Sequence, residues 1–488
     1  MSLVHHIADE AARRWPDRPA ITGGDTTLTH HELATASRRT ARWLLDNGVR
    51  RGDRIVLVSP SSVLHPVLIY AASRIGAIIS VLHEQTTEWS LTHVLDDCEP
   101  VLLISDDFAA TARARAIKAV RTDEVSQATG DTGPDPLAVD ALFLLYTSGT
   151  TSAPKAVVST HQPVVFAVNA IQSVLRYRET DVIYCPLPLS FDYGMYQLFL
   201  GAVSGARVWL GRPAEVGPSL VGKLVASGAT VLPAVPAVAE ALARLLPRHR
   251  GRKPALRLLT NTGAAMPGNV LSELRAALPG LSVQLMFGLT ECKRATIAPP
   301  DADLDNPGTC GVALPGTEVF TVDESGVRLG AGEIGEITVR GPNVMSGYWR
   351  QPEMTARRFV RRDGLFPELR TGDHGWLDEA GHLHFVGRLD DIYKERGLRV
   401  SATEVEAAAR RVAGVESAVV LPPNDGRPAV LVVVTDHAPQ HVLAGMRQEI
   451  EEFKIPGRCL VADRLPLTGN GKVDRKAVAA MLVEADGG

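Results

Sequence analysis

Leu33, Ala36, Thr40, Ala41 and Leu44 recur close to every 3.6 residues, which predicts a helix with one buried face. Thr29 and Glu32 have capping-box spacing at its start, and Gly48 supplies a stop. Arg51-Gly52-Asp53 reads as a turn into the apolar run Ile55-Val56-Leu57-Val58. A second helix is expected over residues 64–74, with Gly76 as a break before a strand over 77–82. Residues 121–138 are small and polar, with Gly130, Gly133, Pro134 and Pro136. They read as a surface excursion, or alternatively a linker, ahead of the strand Leu142-Phe143-Leu144-Leu145. Further strands are expected at 207–210, 229–232, 256–260 and 283–287, and a helix over about 235–247. The alternation implies a layered α/β architecture, not an all-β barrel.

The pattern changes near residue 387. A Gly-rich run of short strand candidates gives way to a helix at Glu404 to Arg411 and a strand at Ala418 to Leu421. A boundary at 390 yields domains 1–389 and 390–488, with the charged stretch Asp390-Asp391-Ile392-Tyr393-Lys394 as a hinge. An ordinary loop inside one large domain is the alternative.

Composition narrows the function classes. The chain has 488 residues, 45% apolar and 22% charged, and its 51 Lys plus Arg against 55 Asp plus Glu leave a formal charge of −4. That balance opposes a general nucleic-acid binder. Five Cys without a close CxxC pair exclude a disulfide scaffold and a structural zinc site of that type. No apolar run reaches the roughly 18–20 residues of a membrane span. Asp9 and Glu10 interrupt the start before any secretory apolar core forms, so a cytoplasmic protein is expected.

The strongest local signal is Tyr146-Thr147-Ser148-Gly149-Thr150-Thr151-Ser152-Ala153-Pro154-Lys155. Such a loop after a strand can bring N–H groups and hydroxyls to phosphate oxygens, with Lys155 as a flexible cation. It lacks the Gly-Lys-Ser/Thr run of the common nucleotide loop. Alone, it reads more readily as a Ser/Thr-rich surface turn than as a catalytic loop.

Other runs follow in order: Phe287-Gly288-Leu289-Thr290-Glu291, Gly332-Glu333-Ile334-Gly335-Glu336-Ile337, and Gly347-Tyr348 with Pro352 and Thr355. Then come Arg370-Thr371-Gly372-Asp373, Gly387-Arg388-Leu389-Asp390-Asp391 and Gly469-Asn470-Gly471-Lys472-Val473-Asp474-Arg475. With these seven ordered segments the chain resembles, from about residue 10 to 480, the adenylate-forming superfamily. That superfamily includes acyl- and aryl-CoA synthetases, firefly luciferase and the adenylation domains of nonribosomal peptide synthetases. The resemblance implies a large multi-subdomain N-terminal α/β core and a small mobile α+β C-terminal domain. It also implies ATP and Mg²⁺. A carboxylate attacks the α-phosphate, pyrophosphate leaves, and the acyl-AMP passes its acyl group to a thiol after the C-terminal domain rotates.

The resemblance assigns Thr147, Ser148, Gly149, Thr150, Thr151 and Lys155 to the phosphate loop. Phe287 and Gly288 would adjoin adenine, Thr290 the α-phosphate and Glu291 the metal. Asp373 would accept the ribose hydroxyls, and Arg388 would contact ribose or phosphate. Lys472 is the expected first-step catalyst, stabilising charge as the new bond forms. Asp390 is the hinge, and Gly397 and Arg399 lie toward the thiol entry. Three positions depart from the pattern. Ser152 and Ala156 stand where the family usually has Gly, so altered loop closure is expected, and Tyr393 replaces a small aliphatic residue without an evident purpose.

The acid pocket is expected around Leu189-Ser190-Phe191-Asp192-Tyr193-Gly194-Met195-Tyr196, a run similar to the one whose aspartate holds the α-amine in amino-acid-activating relatives. Acyl-CoA ligase relatives keep a similar run, so amine recognition by Asp192 stands beside a structural hydrogen-bonding role. Tyr193, Tyr196, Thr260, Thr262, Met286 and Arg294 are expected to approach the side-chain pocket. Arg294 would meet a second anionic group or, alternatively, pair with local structure. Cys292 reads as a packing thiol. A long hydrocarbon tail would desolvate these polar groups, so a small or medium polar acid is favoured, amino-bearing or aromatic. The acceptor is CoA or the phosphopantetheine of a separate acyl carrier protein, since Gly488 leaves no room for a fused carrier after Lys472. An amine or other final nucleophile is one alternative, and a noncatalytic nucleotide-responsive scaffold is another.

Overall fold

The computed structural model describes residues 2–147, 154–362, 366–388, 392–395, 398–423, 428–450, 452–468 and 473–486. Packing divides the chain into two compact units. The first comprises Met1–Val319 with Val339–Arg370, and the second Phe320–Thr338 with Thr371–Gly488. The boundary expected at 390 lies outside the described residues.

Two sheets build the first unit. A six-stranded sheet has the order Lys118–Val120, Leu102–Ser105, Arg54–Val58, Ile78–Leu82, Ala141–Thr147, Lys155–Thr160. Its inner strands are parallel and buried on both faces, which is why their sequences are unbroken apolar runs. A nine-stranded sheet carries the parallel strands Val182–Cys185, Val231–Ala234, Leu258–Asn261 and Ser282–Phe287 near its middle. Among the described residues, no helix is long and apolar enough to cross a membrane.

Local signals explain the flanking helices. His30–Asp46 starts with a complete capping box: the Thr29 hydroxyl accepts from the Glu32 N–H, and the Glu32 carboxylate accepts from the Thr29 N–H. Leu64–Ile75 ends where Gly76 takes a left-handed φ of 67°. The helix expected over 235–247 is Pro236–Leu245, with proline in the first turn where no N–H is needed, followed by a 3₁₀ turn. The strands expected at 229–232 and 256–260 start later, at Val231 and Leu258. Thr230 is diverted from its own strand: its hydroxyl accepts from the Val182 N–H and its carbonyl from the Arg257 N–H.

That junction is pinned by buried Asp181, which accepts from Thr230 Oγ1 at 2.8 Å, Arg257 Nε at 2.8 Å and the Arg178 N–H at 2.7 Å. Burial raises its pKa, but these donors outweigh burial and hold it below the ordinary value. We expect Asp181→Ala to cost about 2 kcal/mol, because several buried donors lose one acceptor. A lowered urea midpoint at unchanged m would measure it. The Asp181 contribution is present at neutral pH and fades only as acid protonates the folded carboxylate.

In the second unit, Val415–Leu421, Val430–Thr435 and Arg458–Val461 form a sheet against the helix Ala402–Arg411. Tyr393 is buried in that core with Val400, Val405, Leu431 and Val433. Its large ring therefore has a packing role, which the hinge-side reading of the sequence leaves unassigned.

Candidate active site

The acid-pocket residues all fall in the first unit. The helix Asp192–Ser204 begins at Phe191, whose N–H donates to the Pro188 carbonyl. A Cβ at Gly194 would stand 2.4 Å from that same carbonyl oxygen, so glycine lets the first turn seat against the incoming backbone. This turn carries Asp192 inward, only 6% exposed. Its carboxylate sits where a helix dipole favours negative charge. One turn of side chains follows: Tyr193 and Tyr196 are buried, and the Tyr193 hydroxyl lies 2.7 Å from both the carbonyl oxygen and Oγ1 of Thr260. Thr260 and Met286 occupy the carboxyl-terminal halves of adjacent parallel strands, Thr262 follows just beyond, and such strand ends are where α/β sheets bind ligands.

The turn after Phe287 brings two basic side chains against the tyrosines of this helix. Lys293 has φ 64°, uncommon for a residue with a side chain. A Cβ at Gly288 would meet the Lys293 carbonyl oxygen at 2.1 Å, so the two ends of the turn can approach only with glycine there. Asn343 clamps the same turn, its Nδ2 donating to the carbonyls of Cys292 and Arg294 at 3.2 and 3.0 Å. Lys293 is thereby turned inward: it is 0% exposed, and its Nζ has no hydrogen-bond partner among the described residues and lies 5.7 Å from the Tyr196 ring centre. Burial lowers its pKa to about 8, against the opposing attraction of Asp192 and Glu291. Arg294 is also buried, donates to the Lys293 carbonyl at 2.9 Å and stacks 4.6 Å from the Tyr193 ring centre. The Tyr196 hydroxyl and Thr262 Oγ1 are buried without partners among the described residues. An apolar occupant would leave these groups unsatisfied, whereas a polar, charged one would meet them.

Sequence reasoning misses Lys293 and Asn343. Lysine is normally a surface residue, so Glu291-Cys292-Lys293-Arg294 carries no sign that Lys293 faces inward until the left-handed turn is known. Cys292 is fully buried and its thiol is pushed up to about 12 by burial, which suits packing.

Lys155, Glu291 and Tyr348 form a second cluster in the same unit. Lys155 Nζ donates to the Tyr348 hydroxyl at 2.9 Å and lies 3.5 Å from Glu291 Oε1, while the Tyr348 hydroxyl donates to that oxygen at 2.6 Å. Burial opposes ionisation of Glu291, but Lys155 and Tyr348 override it and hold its pKa below the ordinary value. The Gly347/Tyr348/Thr355 spacing now has a cause. Thr355 Oγ1 accepts the Tyr348 N–H at 2.9 Å, and a Cβ at Gly347, φ 121°, would strike Thr355 Cγ2 at 2.4 Å. Ala156, one of the departures, is a buried strand residue whose carbonyl accepts from the Trp349 N–H. Thr147 ends the preceding strand, Phe287 is buried, and Thr290 is partly exposed.

In the second unit, Glu336 Oε1 accepts the Gly372 N–H at 2.8 Å and Thr371 Oγ1 donates to the Ile337 carbonyl at 2.6 Å. These bonds hold Asp373 in a buried strand position, in register opposite Arg388. Arg399 lies in the strand Leu398–Ser401. Ser148, Gly149, Thr150, Thr151, Ser152, Asp390, Gly397 and Lys472 lie outside the described residues.

Comparison with known proteins matches residues 8–349 to the AMP-binding enzyme family and 404–472 to the AMP-binding enzyme C-terminal domain. The chain is 32% identical to the feruloyl-CoA synthase of an Amycolatopsis species, covering 95% of each. It is 27% identical to tyrocidine synthase 2 of Brevibacillus parabrevis over 98% of itself, but spans only 14% of that protein. Among solved structures, VinN in complex with L-aspartate is 36% identical with a TM-score of 0.71, over 79% of this chain and 98% of VinN. The Bacillus subtilis o-succinylbenzoate CoA synthetase, in complex with ATP and magnesium ion, is 25% identical with a TM-score of 0.85, over 97% and 99%. The chain therefore belongs to the AMP-binding, adenylate-forming acyl-CoA synthetase superfamily, enzymes that use ATP to convert a carboxylic acid to an acyl-AMP and then to a thioester.

Proposed function

We propose that the acid is a small amino-dicarboxylic acid with the charge pattern of aspartate, and that free CoA accepts the acyl group. The observation that carries the reading is the Lys293 ammonium, buried without a hydrogen-bond partner among the described residues, attracted by Asp192 and next to buried Arg294. One anion at the start of the helix and two cations packed against its tyrosines match a substrate with an ammonium and a carboxylate besides the carboxylate that reacts. VinN, related over most of its length, has been solved with L-aspartate. The feruloyl-CoA synthase likeness favours an aromatic acid instead, but such a side chain would leave the Lys293 charge unmatched. That same likeness extends over 95% of the synthase, which supports free CoA as the acceptor.

In this reading Glu291, an ionised carboxylate with hard oxygens, would hold Mg²⁺, which neutralises charge on the triphosphate when bound. Lys155 and Thr290 would meet phosphate oxygens, Asp373 and Arg388 the ribose side, and Lys472 the reacting α-phosphate. Asp390 would serve as the hinge, with Gly397 and Arg399 at the thiol entry.

Pyrophosphate exchange into ATP tests the acid. L-Aspartate is expected to exceed succinate, which lacks the amine, and β-alanine, which lacks a second carboxylate. Asp192→Asn should lower exchange with the amino acid by about 30-fold while changing succinate little, as for loss of one buried charge pair. Equal use of all three acids, or preference for ferulate, would overturn the proposal. Free CoA and a pantetheinylated carrier, supplied separately, decide the acceptor.

A further inference from the structure

Away from this site, the first helix and the 121–138 excursion bring three metal-ligating side chains together. His5 Nε2 lies 3.3 Å from Asp135 Oδ1, and His6 Nε2 lies 3.2 Å from Asp135 Oδ2. The three donor atoms are all within 4.8 Å of one another. We propose that His5, His6 and Asp135 form a binding site for a divalent transition-metal cation of the zinc class, which clips the helix Val4–Arg14 to the excursion.

The spacing fits a cation. Bonds of about 2.0–2.1 Å in tetrahedral geometry place neighbouring ligand atoms about 3.3 Å apart; each histidine nitrogen stands at about that distance from one of the two Asp135 oxygens, and one ligand atom from each residue falls within 4.8 Å of the others. Two imidazoles and a carboxylate suit zinc-like metals, and a fourth position would stay open to water. The donors are also held in place. Ser73 Oγ lies 3.0 Å from the His5 backbone N and 2.9 Å from its Nδ1. It can accept from both, which leaves the Nε2 lone pair facing Asp135, the usual supporting bond of a ligating histidine. Asp135 sits between Pro134 and Pro136, and the buried Pro136 packs against Gly76, where a Cβ would approach it to 3.1 Å. Proline on both sides restricts the backbone that presents the carboxylate. The nearby Arg74 guanidinium does not repel a cation unopposed, because Asp9 accepts from it at 3.0 and 2.7 Å.

His5 is buried, so the test uses its partners, whose side chains are 33% and 59% exposed. Metal-stripped protein, without ATP or Mg²⁺, is dialysed against micromolar Zn²⁺ and its zinc content measured. About one equivalent is expected in the wild type. His6→Gln and Asp135→Asn should each weaken retention at least ~10-fold. The zinc-dependent rise in melting temperature should vanish in both variants, while Mg²⁺-dependent pyrophosphate exchange stays at the wild-type level and reports an intact fold. No zinc retained by the wild type, or equal retention by all three proteins, would overturn the site.

Discussion

Lys472→Ala is expected to lower acid-dependent pyrophosphate exchange by ~10²–10³-fold, the usual loss when one preorganised charge-stabilising group is removed. Adenylation brings a carboxylate against a phosphate, two anions whose repulsion peaks as the bond forms, so a cation at that point acts mainly on the transition state. The other lysine of the nucleotide motifs cannot replace it freely. Lys155 is held beside the Tyr348 hydroxyl and the Glu291 carboxylate, so in the proposed reading it serves the phosphate and metal side and not the new acyl–phosphate bond. The loss should therefore appear in kcat with little change in KM for ATP or acid. Transfer from preformed acyl-AMP to CoA should survive, because the second step breaks the acyl–phosphate bond without forming it. Exchange at the wild-type rate in Lys472→Ala would remove this lysine from the first step.

The residues that are legible in the sequence are those whose signal lies in a few consecutive positions. The capping box at Thr29 and Glu32, the stop at Gly76 and the apolar runs of the parallel strands each follow from a few neighbouring residues. The helix Asp192–Ser204 is visible only as a motif. It is buried on nearly every side, so its residues carry no 3.6-residue alternation to detect. Glycine motifs are visible, but their causes are not: Gly347 makes room for Thr355, and Gly288 for the Lys293 carbonyl. Such close approaches join residues that a periodicity scan treats as independent. Tyr393 lacks an evident purpose in the sequence for the same reason, since its core partners Leu431 and Val433 come from a strand distant along the chain.

Lys293 is the most consequential omission, and it carries a pH signature that an ordinary surface lysine lacks. Its pKa is lowered from 10.5 to about 8, burial being the main cause. Below pH 8 both folded and unfolded chains hold the proton, and the folded chain carries the full penalty of a buried charge. Between about pH 8 and 10.5 the unfolded chain binds more protons than the folded one, so this residue makes stability rise with pH. Lys293→Met keeps the bulk and removes the charge. The variant should be the more stable protein at neutral pH, and its advantage should shrink as the pH is raised toward the unfolded pKa. Activity should move the opposite way. With an amino-dicarboxylic acid, kcat/KM of the wild type should fall above pH 8 as the cation is lost. Lys293→Met should be about 100-fold poorer at neutral pH, on the scale of one truncated buried charge pair, with a flat profile through the lysine's titration. β-Alanine, without the second carboxylate, should be nearly indifferent to the substitution. A lysine that merely packs would give the stability change alone. The coincidence of a stabilised variant with a selective loss for dicarboxylates would identify Lys293 as a charge kept buried for the substrate.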